Sequence, residues 1–194
     1  MISILYDFGT SVISWGTLVF QIIILAGTAV LLLTLLGSPR ERLHHLVHKA
    51  ADYAFLFGFL VSLSALVASL FYSNVIGFDP CELCWWQRIF IYPQIVIFGI
   101  ALYNERRHNI QDNMVFVYSL ALSFCGAVIA LFQYYGQFFD PDLLSLCTKT
   151  GASCAKLYFV SFGYITIPLM SLTAYVGLIL MFFFDRTSKK IRSK

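Results

Sequence analysis

Charge is what this sequence has least of. Of 194 residues, 12% are Asp, Glu, Lys or Arg and 59% are hydrophobic. That is about half the charged fraction of an ordinary soluble domain. A water-soluble globule is excluded, and the chain reads as a polytopic membrane protein, one bundle with no separate soluble domain. Glycine-rich phosphate-binding motifs are absent, as are haem and flavin motifs, which removes the usual nucleotide and cofactor folds. The basic residues fall in short clusters beside apolar runs rather than in one long stripe, which argues against nucleic-acid binding. No Lys or Arg precedes Arg40. The first apolar run therefore lacks the basic leader of a cleavable signal peptide and is expected to remain as a membrane span.

What is present is a series of apolar runs. Val12 to Leu36 carries no charge and would measure about 37 Å as a helix, ample for a bilayer. Gly37-Ser38-Pro39 ends it, and residues 40–49 have the pattern of a short amphipathic interfacial helix. His44 and His48 within it are spaced i,i+4 but have no evident third metal ligand, so a solvated face is expected. Four more spans follow: Tyr53 to Tyr72, Leu83 to Tyr103 with Pro93 inside it, Met114 to Tyr135, and Tyr164 to Phe184. Arg40, Arg42, Lys49, Arg106, Arg107, Arg186, Lys189, Lys190, Arg192 and Lys194 then lie on one side, ten of the thirteen basic residues, leaving Arg88, Lys149 and Lys156 on the other. The positive-inside rule places the N-terminus outside and the C-terminus in the cytoplasm.

The five cysteines fall as Cys81/Cys84, Cys147/Cys154 and an isolated Cys125. Both pairs lie outside the apolar runs and on the non-cytoplasmic side of this layout, where disulfides persist. Two disulfides and one thiol packed in the bundle are expected. Cys81 and Cys84 have the Cys-x-x-Cys spacing at the start of a helix, where aligned backbone N–H groups stabilise a thiolate. Arg88 follows Cys84 by four residues and so shares its face. A fixed charge at the edge of a membrane span reads as functional by default. The outer loop, residues 136–163, brings Cys147 and Cys154 on a segment with Gly151. Around its start, Tyr134, Tyr135, Phe138, Phe139, Leu143 and Leu144 have the character of residues that lie on a membrane surface. Two dithiols on one face form an exchange chain, in which a thiolate attacks a disulfide and electrons pass to the more oxidising pair. In an apolar bundle the natural terminal acceptor is a lipid-soluble quinone, resting against Trp85 and Trp86 with Arg88 polarising a carbonyl. Two other readings fit the residues alone: a non-enzymatic assembly factor with four cysteines on a structural zinc, and a transmembrane carrier of thiol reductant.

The stretch Pro80-Cys81-Glu82-Leu83-Cys84-Trp85-Trp86-Gln87-Arg88-Ile89 resembles the signature of the DsbB family of membrane thiol:quinone oxidoreductases, in particular its BdbC-like branch. Tyr92-Pro93 and the segment from Phe162 to Leu169 resemble further parts of that family. The resemblance covers roughly residues 50–185. It implies an all-α membrane bundle with a four-helix core (50–185), an extra N-terminal transmembrane helix with its cytoplasmic connection (1–49) and a basic cytoplasmic tail (186–194). It also implies redox-active disulfides Cys81–Cys84 and Cys147–Cys154. In that scheme Cys84 and Arg88 meet a quinone, ubiquinone or menaquinone, and the loop pair exchanges with a DsbA-like thioredoxin-fold oxidase, Cys147 taking the attack. The implied location is the bacterial inner membrane, and the extra helix has no counterpart in the four-helix core.

Overall fold

A computed structural model describes residues 2–36, 41–108, 114–148 and 153–193. It is an all-α bundle. Helix α1 spans Ile2–Leu35, α2 Glu41–Asp52, α3 Ala54–Leu70, α4 Glu82–His108, α5 Met114–Phe138 and α6 Ile167–Arg192. A π-helical turn, Phe71–Val75, extends α3, and a 3-10 turn, Pro141–Thr148, follows α5. Five segments are long and apolar enough to cross a membrane: Tyr6–Leu35, Ala54–Val75, Glu82–His108, Met114–Phe138 and Ile167–Arg192. These are the five spans expected from the apolar runs. The main difference at the N-terminus is that α1 begins ten residues before Val12, because the chain from Ile2 has no proline, a single glycine and a single charge, Asp7.

In lipid, apolar contact alone gives helices little reason to associate, so close packing and interhelical hydrogen bonds hold a bundle together. Both are present. The α5–α6 seam closes over Gly126, where the Tyr175 ring occupies the space that a Cβ would need. Phe55 of α3 stacks on Phe116 of α5 with ring centroids 4.9 Å apart, and Phe98 of α4 is fully buried beside them. Gln94 of α4 ties α5 through two serines: its Nε2 donates to Ser123 Oγ at 3.1 Å and its Oε1 accepts from Ser119 Oγ at 2.6 Å. A buried amide in a membrane helix is costly unless paired, and this one is paired at both ends.

At the end of the bundle away from Cys81, α2 packs on α6 through the buried Val47. His48, expected on a solvated face, is instead half-buried, its Nδ1 2.8 Å from Ser188 Oγ. Where a basic tail is expected after Asp185, the helix simply continues to Arg192. Its polar residues find partners there: Lys189 Nζ lies 2.6 Å from Asp185 Oδ2, and Arg192 Nη2 lies 3.0 Å from Asp52 Oδ1. Cys125, expected to be packed in the bundle, is exposed. The buried face of α5 runs through Ser119, Ser123, Gly126 and Ala130, and Cys125 projects off that stripe. The connections at 37–40, 109–113 and 149–152, including Arg40, Lys149 and Gly151 of the sequence reading, lie outside the described residues.

Candidate functional site

Gly77 takes a positive φ of 84° that glycine adopts without strain, and the chain turns through Phe78-Asp79-Pro80 into α4. Cys81 stands just before the helix, its carbonyl accepting the first intrahelical bond from Trp85 N at 3.1 Å. Cys84 is then in the first turn and Arg88 one turn further on the same face. The sulfurs of Cys81 and Cys84 are 3.0 Å apart, as two unlinked thiols. The Cys81 thiol is held well above the ordinary thiol range, first because it shares a hydrogen bond with Cys84 and then because it is buried.

The second pair arrives from the other side. Leu144, in the 3-10 turn, packs into the space left open by Gly136 and is completely buried between Cys81 and Cys154. This overturns its expected place on a membrane-facing surface: its neighbour Leu143 is exposed, but Leu144 fills the cysteine cluster. Cys147 lies at the edge of the cluster, packed against the buried group that contains Cys154. Burial and the neighbouring Cys154 push its thiol up to about 11. Cys154 is 1% exposed and belongs to the same buried cluster as Cys81. The segment after it is pinned to the Cys81 turn by rings and one hydrogen bond. Tyr158 stacks on Phe78 at 4.2 Å, and its hydroxyl donates to the Asp79 carbonyl at 2.7 Å.

One residue joins the two pairs. Gln133 of α5 is 1% exposed. Its Nε2 lies 3.3 Å from Cys81 Sγ, 3.6 Å from Cys84 Sγ and 3.5 Å from the Cys154 carbonyl, while its Oε1 accepts from Gln87 Nε2 at 2.8 Å. Gln137, one turn later, donates to the same Cys154 carbonyl at 3.1 Å. Tyr175 donates its hydroxyl to the Gln87 carbonyl. The sequence reading singled out none of these four. The signal was available as amides inside apolar runs, since polar groups at membrane depth are costly and need a purpose.

The cluster opens onto a cavity of about 600 Å³. Cys81, Cys84, Gln87, Arg88 and Gln133 form one wall, and residues of α1, α3 and α6 form the others. The Arg88 guanidinium faces it, held by a hydrogen bond to the Ser69 carbonyl at 3.2 Å and by the Trp85 ring at 5.0 Å. Trp85 and Trp86, the rings expected to contact a quinone, are about half exposed and do not line the cavity. The lining stripe that leads from Cys81 into α4 runs through 81, 84, 87, 88 and 91 and passes over 85 and 86, so Trp85 touches the site through the Arg88 side chain. The ring surface of the cavity comes instead from Phe20, Phe57, Tyr72, Phe78, Tyr158, Phe159 and Tyr175. Among the described residues, three buried side-chain polar atoms have no hydrogen-bond partner: Tyr72 Oη, Gln137 Oε1 and Thr166 Oγ1. All three residues line this cavity. An apolar chamber with a few convergent polar groups, a cation and a thiol suits a planar, oxygen-bearing aromatic molecule. Among the described residues no group of three or more Cys, His, Asp or Glu is arranged to hold a metal ion.

Residues 51–184 match the family model described as disulfide bond formation protein DsbB. A probable disulfide formation protein of Chlamydia caviae is 35% identical over 137 residues, covering 71% of this chain and 94% of that one. A probable disulfide formation protein of Coxiella burnetii is 35% identical over 135 residues, 68% of this chain and 85% of its own. A probable disulfide formation protein C 2 of Bacillus anthracis is 28% identical over 138 residues, with 71% and 94% covered. No solved structure matches the chain.

Proposed function

The chain belongs to the DsbB family of disulfide bond formation proteins, and from that premise we propose that this multi-pass membrane protein is a thiol:quinone oxidoreductase that reoxidises a DsbA-like thioredoxin-fold partner. The observation that carries the reading is the position of Gln133, which touches Cys81, Cys84 and the Cys154 backbone at once, beside a cavity bearing Cys84 and Arg88. The Cys81/Cys84 sulfurs and the Cys154 backbone meet at one buried amide, in a cluster that Cys147 packs against and that borders the chamber.

The relay begins at the accessible sulfur. In the oxidised protein a partner thiolate attacks Cys147 Sγ, the Cys147–Cys154 bond breaks, and Cys154 leaves as a thiolate. Cys154, buried beside Cys81, attacks Cys81 Sγ and displaces Cys84. The partner's second thiolate attacks its own sulfur in the mixed disulfide and departs oxidised, freeing Cys147. Attack by Cys147 on Cys154 restores the loop disulfide and releases Cys81, so two electrons have moved to the Cys81/Cys84 dithiol. That dithiol gives up two electrons and two protons as its own disulfide re-forms. A bound quinone supplies the two-electron, two-proton sink for this last step. Cys84 and Arg88 would hold it, with Gln137, Tyr72 and Thr166 offering the polar atoms that have no partner. When Cys81 or Cys84 carries charge, Gln133 Nε2 is placed to donate to that sulfur. Arg88 adds a positive charge at the cavity wall where water is scarce and electrostatic stabilisation is strong.

In this reading the cysteine end of the bundle faces outward, as the positive-inside rule requires. The deciding experiment is turnover by the purified protein with a reduced thioredoxin-fold oxidase and a short-chain quinone. One quinone should be reduced for each partner disulfide formed. Partner oxidation that proceeds with no quinone consumed would refute the assignment.

A further inference from the structure

The family match begins at residue 51 and leaves α1 outside it, yet α1 is not a detached anchor. Val12, Ile13, Gly16, Thr17 and Phe20 line the cavity that holds Cys84 and Arg88. Ile13, Gly16, Thr17 and Phe20 are spaced i, i+3, i+4 and i+7, one stripe of the helix.

The rotation of α1 that presents this stripe is fixed by polar and aromatic contacts to its neighbours. Ser14 Oγ donates to Ser161 Oγ at 2.9 Å, and Gln21 Nε2 donates to Thr173 Oγ1 of α6 at 3.1 Å. Gln21 Oε1 in turn accepts from the Tyr164 hydroxyl at 2.9 Å. Trp15 meets Phe162 edge-on at 4.9 Å, and Phe162 is the one described non-glycine residue with positive φ, 53°. A bulky residue in that conformation persists only where its surroundings hold it. Phe20 reaches across to Phe57 of α3, with centroids 5.7 Å apart, and its ring fills the space above Gly177 of α6. So α1 bridges the α3 and α6 sides of the chamber.

We infer that α1 is the outer wall of the electron-acceptor site and that Gly16 sets how large a quinone ring system the site admits. This inference rests on the acceptor reading proposed above. Gly16 is the point on the stripe where the wall is thinnest: a Cβ built there meets nothing within 4 Å. Its backbone is helical and the position is exposed and lines the cavity, so larger residues fit without strain and add bulk at the chamber's edge. A wall contributed from outside the matched region gives this chain a control over acceptor size that the four-helix core does not itself provide.

The test measures binding rather than turnover. Gly16→Leu and Gly16→Phe are purified alongside the unaltered chain and Leu25→Phe, which changes a residue 70% exposed on α1. Dissociation constants for a short-chain benzoquinone and a short-chain naphthoquinone are read from quenching of tryptophan fluorescence. Single-turnover oxidation of the reduced partner by Cys147/Cys154 is followed in parallel. The expected result is at least a tenfold weaker naphthoquinone affinity in Gly16→Phe and a smaller loss in Gly16→Leu. Benzoquinone affinity should fall less than naphthoquinone affinity in both, Leu25→Phe should be unchanged, and partner oxidation should persist throughout. If Gly16→Phe does not fold, Gly16→Leu decides on the same comparison. Quinone affinities within twofold of the unaltered chain in the Gly16 variants would overturn the role of α1, as would equal losses for both quinones or loss of partner oxidation alongside binding. Failure of the unaltered chain to bind either quinone would instead overturn the acceptor reading beneath it.

Discussion

Replacing Gln133 with Leu should uncouple the two cysteine pairs while leaving each pair intact. The side chains are similar in size, so little packing is lost, but three donor contacts and one acceptor contact disappear. The contacts to sulfur matter most when sulfur is charged. A hydrogen bond to a charged group contributes about 1.5–3 kcal/mol, which corresponds to roughly a 10- to 150-fold effect on a step that develops a thiolate at Cys81 or Cys84. The static cost is separate. Gln87 Nε2 would be left buried without its partner, destabilising the fold by about 1–3 kcal/mol. Gln133→Glu keeps an acceptor for Gln87 but replaces the sulfur-facing donor with a carboxyl group, and should slow transfer more than Leu while sparing the Gln87 contact. The assay follows two signals after mixing with reduced partner: appearance of the Cys147–partner mixed disulfide and reduction of quinone. Mixed-disulfide formation should stay within about threefold of the unaltered chain, and quinone reduction should fall roughly 10- to 150-fold in Gln133→Leu. If both signals fall in proportion to lost thermal stability, Gln133 is only a strut, and the reasoning from its sulfur contacts fails.

Arg88→Lys should raise the apparent KM for quinone about tenfold or more, because a lysine cannot both stack on Trp85 and bond the Ser69 carbonyl as the planar guanidinium does; unchanged KM with partner exchange intact would reduce Arg88 to an anchor. Cys154→Ser should trap a stable disulfide between Cys147 and the partner, since the resolving thiol is gone; rapid partner release by that variant would exclude the proposed order of attack. In the reduced protein, alkylation of Cys147 should be about a hundredfold slower at pH 8 than for an ordinary thiol, because its pKa of about 11 lies about two units above the usual value. A raised pKa leaves the thiol protonated until high pH, so the rate should climb about tenfold per unit from pH 8 to 10, and a flat profile measured by mass spectrometry would refute it.

How much of this was legible in the sequence depends on the physical signal each feature carries. The five spans were readable because uncharged runs of membrane length have few alternative structures, and Cys81, Cys84 and Arg88 because helical periodicity alone puts i and i+4 on one face. The meeting of the two cysteine pairs was expected from their shared side of the membrane and from a loop lying on the membrane surface. What brings them together is Leu144 filling the space over Gly136 and Tyr158 stacking on Phe78, contacts between distant parts of the chain that no local pattern announces. Trp85 and Trp86 were assigned to the acceptor because aromatic rings beside a redox pair are natural ring partners. The lining positions from Cys81 into α4, at 81, 84, 87, 88 and 91, follow a helical stripe that skips 85 and 86. Gln133 was passed over because one glutamine hardly alters the mean hydropathy of an apolar run, although its cost in lipid is what makes it informative. Four glutamines lie in the membrane helices of this core, at 87, 94, 133 and 137. Gln94 closes its bonds on serines of α5 and is structural. The other three are directed at the cysteine cluster. The same question asked of α1, where Ser14 and Gln21 bond outward to Ser161, Thr173 and Tyr164, shows a helix held in one rotation, with its cavity-facing stripe aimed at the chamber beside Cys84. An anchor that only tethered the chain to the bilayer would have no need of that alignment.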